Sequence, residues 1–225
     1  MTTHPLSNPI WNGLIGPHAH LGLVAGKVRR YRPEVAMFVS VEDPADPDMP
    51  GLLELLGEGS SGFLTELPVA VPPGVEVTRI ADVQQMIVAE WNPVPVTIDM
   101  MPLGEADDVA MVELTAMTKP GPFFDKTRLM GNYRGLFDDG RLVAMSGERM
   151  RTPKFTEISA VCTHPDYRNR GYAKQFVSQG GNEIVADGKI PFLHTFADNA
   201  VAIATYEKLG FRRSRMMQFT VIRRR

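Results

Sequence analysis

The sequence predicts a mixed α/β fold: a mostly antiparallel sheet with helices on both faces, preceded by a smaller N-terminal α/β subdomain. Three observations carry this. From Val94 on, strand-like and helix-like segments interleave instead of forming separate runs. Asp138-Asp139-Gly140 separates two β-forming runs, a strong antiparallel hairpin signal. Of the 18 prolines, 12 lie before Thr97, so the first part is loop-rich and the remainder more regular.

Asn8-Pro9 marks a helix start, with Asn as the cap and Pro in the first turn. Trp11, Leu14, Ile15 and His18 follow at helical spacing. Ala36 to Val41 is β-forming and bounded by Pro33 and Pro44. Leu52 to Leu56 reads as a short helix opened by Asp48. Pro68, Pro72, Pro73 and Gly74 mark a break. Val75 to Trp91 is ambiguous: Ile80, Val83, Met86 and Ile87 fit a helix, whereas Val75 and Val77 alternate. Asn92-Pro93 ends it and sets the expected boundary between a 1–93 subdomain and a 94–225 domain.

Val94 to Met100 then reads as a strand. Ala106 to Thr118 reads as a helix with acidic residues in its first turn and Val109, Val112 and Ala116 on one face. Phe123 to Met130 allows one more short helix. Tyr133 to Phe137 and Arg141 to Met150 form the hairpin, and Thr156 to Thr163 is a further strand. Gly171 to Ala186 is a helix, Pro191 to Phe196 a strand, and Asn199 to Leu209 a helix stopped by Gly210. Phe211 to Ile222 is a terminal strand or hairpin. No repeat at solenoid periods is visible.

At 225 residues the chain can bury a core without staples. Hydrophobic residues make up 44% and charged residues 22%, which excludes a disordered or collagen-like chain. The formal net charge is −2, so no global basic field points to nucleic acid. The basic C-terminus (Arg212, Arg213, Arg215, Arg223, Arg224 and Arg225) fits a solvated strand face better than an RNA contact. The single cysteine, Cys162, excludes a disulfide framework and points to a reducing cytoplasm. The N-terminus has no apolar leader, and no stretch approaches a membrane span.

Two motif matches fail on context. Gly57-Glu58-Gly59-Ser60-Ser61-Gly62 fits a dinucleotide fingerprint, but Pro68, Pro72 and Pro73 leave no room for the helix it needs. His18 and His20 lack a third ligand, so no metal site is expected. The 13 methionines read as core filler that can also line an adaptable groove.

The informative stretch runs from Glu157 to Ala173: a strand, a basic turn containing Gly171, and a helix start. Such a turn aims several backbone N–H groups outward, and with the helix dipole they make an anion site. Arg168, Arg170 and Lys174 add positive charge, so a pyrophosphate is the natural guest. The alternative is an ordinary surface turn.

Arg168-x-x-Gly171-x-Ala173 resembles the acyl-CoA pyrophosphate loop of the GCN5-related N-acetyltransferase (GNAT) superfamily. Val161 to Arg168 is similar to the strand-to-loop segment of that superfamily. Asn199 to Phe211, N-x-x-A-x-x-x-Y-x-K-L-G-F, is similar to its C-terminal motif. The resemblance spans Val94 to Arg225, with the glycine N-acyltransferase-like subgroup as the nearest match. It implies an N-acyltransferase moving an acetyl group from acetyl-CoA to a primary amine by direct attack, without a metal. A GNAT-fold sensor that binds acyl-CoA without turnover is the alternative.

The resemblance further implies that the backbone of Val161, Cys162 and Thr163 binds the pantetheine arm. The amides of Asn169, Arg170, Gly171, Tyr172 and Ala173 hold the pyrophosphate, with Arg168 at the motif's first position; Lys174, which the motif does not require, adds charge. Asn199 contacts the cofactor, caps its helix, or both. Tyr206 matches the tyrosine that protonates the leaving thiolate; helix-face packing is its other reading. A free alkyl amine is mostly protonated at neutral pH, so a base is useful. Glu157 is the first choice, with His194, Glu148 or water as rivals. A small-molecule or amino-acid amine is the expected acceptor and a protein N-terminus a further one; monomer and homodimer both stay open.

Overall fold

The structure is a computed structural model, and it describes residues 4–57, 60–65, 70–71 and 73–224. Its first helix, α1 (Pro9–Leu14), starts as expected, with the Asn8 side chain accepting from the Trp11 amide at 3.3 Å. The buried side chains are Ile10 and Leu14 rather than Trp11 and Ile15, because the helix lies on the core at that edge. A hairpin of β1 (Gly22–Ala25) and β2 (Val28–Tyr31) pairs with β3 (Val39–Val41) in a three-stranded sheet. Then α2 (Met49–Leu56) is capped by Asp48, whose Oδ1 accepts from the Gly51 amide at 3.1 Å.

The main sheet has eight strands. They are β4 (Ser60–Thr65), β5 (Val75–Val88), β6 (Met101–Pro102), β7 (Tyr133–Asp138), β8 (Arg141–Arg151), β9 (Phe155–Thr163), β10 (Ile190–Phe196) and β11 (Phe211–Arg224). Their order is β4-β11-β5-β10-β9-β8-β7-β6. All neighbours are antiparallel except β9 and β10, which are parallel. An isolated bridge from Phe38 to Gly62 ties β4 to the small sheet.

The ambiguous segment from Val75 is therefore a 14-residue strand between β10 and β11. Its inward residues Val83 and Met86, and the buried Gln84 and Gln85, are set by two flanking strands rather than by local periodicity. The division expected at residue 93 does not follow an edge of the sheet. Residues 22–41 have a sheet of their own, but β4 and β5 join the same sheet as every later strand. Of the dinucleotide-like motif, Glu58 and Gly59 lie outside the described residues, as do Pro68 and Pro72 of the proline break. Ser60 to Gly62 begin β4, so no helix follows.

The strand expected over Val94 to Met100 is absent; only Met101 and Pro102 pair, with β7. Pro93 and Pro95 remove donors, and three of the remaining amides turn to side chains of α4 (Tyr172–Ala186). The Val94 amide donates to Ser178 Oγ at 3.0 Å, and those of Thr97 and Ile98 to Gln175 Oε1 at 2.7 and 3.2 Å. Helix α3 (Asp108–Thr118) forms where expected but buries Met111, Leu114 and Thr115; Val109 is exposed. Residues 123–130 yield only a 3-10 turn, Thr127–Met130. The hairpin turn has positive φ at both Asp139 and Gly140, as its sequence demands.

Helices cover both faces. On β10, Leu193 packs with α4 and α5 (Ala200–Lys208), in a core of Met86, Val177, Ile184, Ile203 and Phe211. Its neighbour Phe192 points the other way, into a core with Ile10 and Leu14 of α1. The candidate metal pair separates: His18 is buried and its Nδ1 lies 2.8 Å from Tyr31 Oη, whereas His20 is exposed. Among the described residues no three His, Cys, Asp or Glu gather as metal ligands. No described helix is long and apolar enough to cross a membrane.

Candidate active site

The central feature is where two parallel strands part. β9 and β10 pair only over Phe155–Glu157 and Ile190–Phe192. Beyond these residues they diverge, leaving one edge of Ile158 to Thr163 without a strand partner. The register of β9 against β8 also shifts between Ser159 and Cys162, and Ala160 takes a positive φ of 52°. This bulge breaks the strand alternation.

A cavity of about 670 Å³ opens in the fork. One end is the turn after β9. Asn169 and Gly171 have φ of 63° and 75° there, and Gly171 caps α4 with no side-chain hydrogen bond. The amides from Asn169 to Ala173 take no protein acceptor among the described residues, so they point outward as a free donor set. At the turn Arg141 Nη2 donates to His164 Nε2 at 2.7 Å, which leaves the imidazole proton on Nδ1, on the side of Asp166. Arg168, Arg170 and Lys174 line the same end, and the Arg170 guanidinium stacks on Tyr167. A diphosphate on a pantetheine arm fits this donor set and fork, the residues expected for it being Val161, Cys162, Thr163 and the turn.

Cys162 is buried between Met145 and Thr118, and burial pushes its thiol up to about 11. It is a neutral wall residue, not a nucleophile. Asn199 caps α5 by accepting from the Ala202 amide at 3.1 Å, and it also borders the cavity. Tyr206 lines the cavity from α5, with its ring against Phe211 at 6.1 Å. Burial raises its phenol to about 12, so it holds its proton at neutral pH.

The expected bases behave differently. Glu157 is fully buried and does not line the cavity. Burial alone would raise its pKa. Arg149 and His194 overcome that and hold the carboxyl at about 2. Arg149 grips it through Nε and Nη2 at 3.0 and 2.6 Å, and the Met150 amide donates at 3.2 Å. Such a carboxylate is a poor proton acceptor. Glu148 is bound by the Arg151 guanidinium and the Asn132 amide, away from the cavity.

His194 does reach the cavity. Its Nδ1 lies 2.8 Å from Glu157 Oε1, and its Nε2 lies 3.0 Å from Gln85 Nε2. The Gln85 amide nitrogen also donates to Leu6 O at 3.1 Å. An amide nitrogen only donates, so His194 Nε2 is the acceptor and its proton sits on Nδ1, toward Glu157. Arg149, Glu157, His194 and Gln85 thus form one buried chain of hydrogen bonds.

Sequence reading missed the other end of the cavity. Phe38, Leu64, Val83 and Phe219 line it, with Arg149 and the 119–122 loop. Strand pairing between distant segments assembles this wall, so no local spacing marks it. Only the β-forming run around Phe38 carried any signal.

Residues 133–220 match the family model described as FR47-like protein. A structure from Novosphingobium aromaticivorans assigned to the GNAT family is 40% identical over 99% of both chains, with a TM-score of 0.90. A GCN5-related N-acetyltransferase from Kribbella flavida shares 14% identity over 97% of this chain and 95% of its own, with a TM-score of 0.62; that likeness is one of fold. The mycothiol acetyltransferase of Corynebacterium glutamicum is 35% identical over 77 residues, 34% of this chain. The match spans 26% of that relative's length, about a quarter.

Proposed function

Because the chain belongs to the GNAT family of acetyltransferases, we propose that it is an acyl-CoA-dependent N-acyltransferase. Its donor is acetyl-CoA and its acceptor a primary amine. One observation carries this reading: the fork between β9 and β10 opens onto a turn with a free set of backbone donors. The acetyl transfer in the name of the Corynebacterium relative supports acetyl as the donor group.

The co-substrate would supply a thioester. The free edge of Val161 to Thr163 would hold its arm as an added strand is held, and the amides of Asn169 to Ala173 its diphosphate. Tyr206 keeps its phenolic proton until a thiolate needs it. His194 would be the base: it borders the cavity, and the amine N–H would replace the Gln85 donor at its Nε2. Glu157 fixes the His194 tautomer and stabilises the imidazolium that follows.

The test is calorimetric titration with acetyl-CoA followed by thiol release across an amine panel. Binding with amine-dependent release supports the reading. Binding without release from any amine supports a non-catalytic sensor instead, and no binding overturns both.

A further inference from the structure

Resting on that N-acyltransferase reading, we propose that the acceptor is an apolar α-amino acid. Its amine would face His194, its carboxylate Arg149, and its side chain the Phe38–Phe219 wall.

The charge of the cavity comes first. Among the described residues that line it there is no Asp or Glu, while Lys119, Arg149, Arg168, Arg170 and Lys174 all do. Three of these cations belong to the diphosphate end. Lys119 and Arg149 are left for the acceptor. A polyamine, an aminoglycoside or a lysine-rich peptide brings further ammonium groups that find no carboxylate here. An acceptor carrying an anion matches instead.

Arg149 is the anchor. Its Nε and Nη2 are committed to Glu157, but its Nη1 takes no acceptor among the described residues. The side chain is only 12% exposed. The same guanidinium sits 5.3 Å from the Phe38 ring centre, and Phe38 meets Phe219 edge to face at 5.9 Å. Glu157 links Arg149 directly to His194. The base, the free cationic donor and the apolar wall are therefore linked side by side, and the amine, carboxylate and side chain of an α-amino acid, which radiate from one Cα, match the three together. Leu64 and Val83 extend the wall.

In the step itself the amine nitrogen forms a bond to the acyl carbon and the carbon–sulfur bond breaks. The sulfur leaves with the electron pair and takes the Tyr206 proton. The amine proton passes to His194. The products are an N-acylamino acid and a free thiol, with no redox change.

The test measures kcat/KM by thiol release at saturating acetyl-CoA. L-leucine and L-phenylalanine should exceed glycine by about tenfold to a hundredfold, the range a hydrophobic pocket supplies. Phenethylamine should fall at least tenfold below L-phenylalanine, because it lacks the carboxylate. Spermidine and kanamycin should not exceed glycine. A Phe38→Ala variant should lower the value for leucine more than that for glycine, so that the leucine-to-glycine ratio narrows, and Phe38→Leu should restore the ratio. If the variant does not fold, the panel on the unaltered protein decides alone. Equal rates for glycine and leucine, phenethylamine matching L-phenylalanine, or preference for the polycations would overturn the proposal and leave N-acyl transfer standing. Release from no amine would overturn both.

Discussion

Replacing Glu157 by Gln separates the energetic role of the buried ion pair from its chemical one. The carboxyl has an ordinary pKa near 4.5 and is held at about 2 in the folded chain. Its folded pKa is depressed, so its stabilisation is fully present above about pH 4.5. It is lost as pH falls toward 2. At 1.36 kcal/mol per pH unit, the ionised carboxylate contributes about 3 kcal/mol at neutral pH. The figure needs no discount for solvent, because Glu157 is 0% exposed and Arg149 nearly enclosed. Removing one partner of a buried pair costs about 3–5 kcal/mol, and Gln keeps some hydrogen bonds, so the lower figure applies. Urea unfolding at pH 7 and pH 3, for both proteins, measures it. The stability gap should be near 3 kcal/mol at pH 7 and narrower at pH 3. An equal gap at both pH values would refute the assignment of the charge to Glu157.

Other consequences follow from the same geometry. Tyr206→Phe removes the proton donor while keeping the ring on Phe211; kcat should drop about 100-fold or more with acetyl-CoA affinity within a factor of three. His194→Gln removes the proposed base and should lower kcat about 100-fold or more with acetyl-CoA affinity within a factor of three. Gly171→Val forces a β-branched residue to φ near 75°, costing about 1–3 kcal/mol, and calorimetry should show weakened acetyl-CoA binding. A fragment of residues 94–225 lacks the strand between β10 and β11, so its circular dichroism and amide spectra should be those of an unfolded or aggregated chain.

What was legible in the sequence was what local chemistry decides. Asn8, Asp48 and Asn199 cap helices because a side-chain acceptor meets an amide three residues on. Asp139-Gly140 turns the chain because both residues tolerate positive φ. The turn from Arg168 to Ala173 was legible for the same reason. Long-range pairing hid the rest. The apolar spacing of Ile80, Val83, Met86 and Ile87 suits a helix, yet β10 and β11 draw it into a strand and leave Ile80 exposed. Val94 to Met100 has strand composition, but Gln175 and Ser178 take its amides. Glu157 stood at the right place for a base, and its charge partner, Arg149, lies on a neighbouring strand that no motif flags.

The same pairing explains why the cavity cannot be assigned to one half of the chain. β5 carries Gln85, which sets the His194 tautomer, and Val83, which borders the cavity. β4 carries Leu64, and Phe38 follows β2 where the small sheet meets β4. The described wall residues before position 94 are Phe38, Leu64 and Val83, whereas the turn proposed to hold the diphosphate is built wholly from residues after 160. Substitutions before residue 94 can therefore change which amine fits without touching the turn that would hold the co-substrate. Under the assignment proposed above, donor and acceptor recognition are thus separable in sequence although they share one sheet.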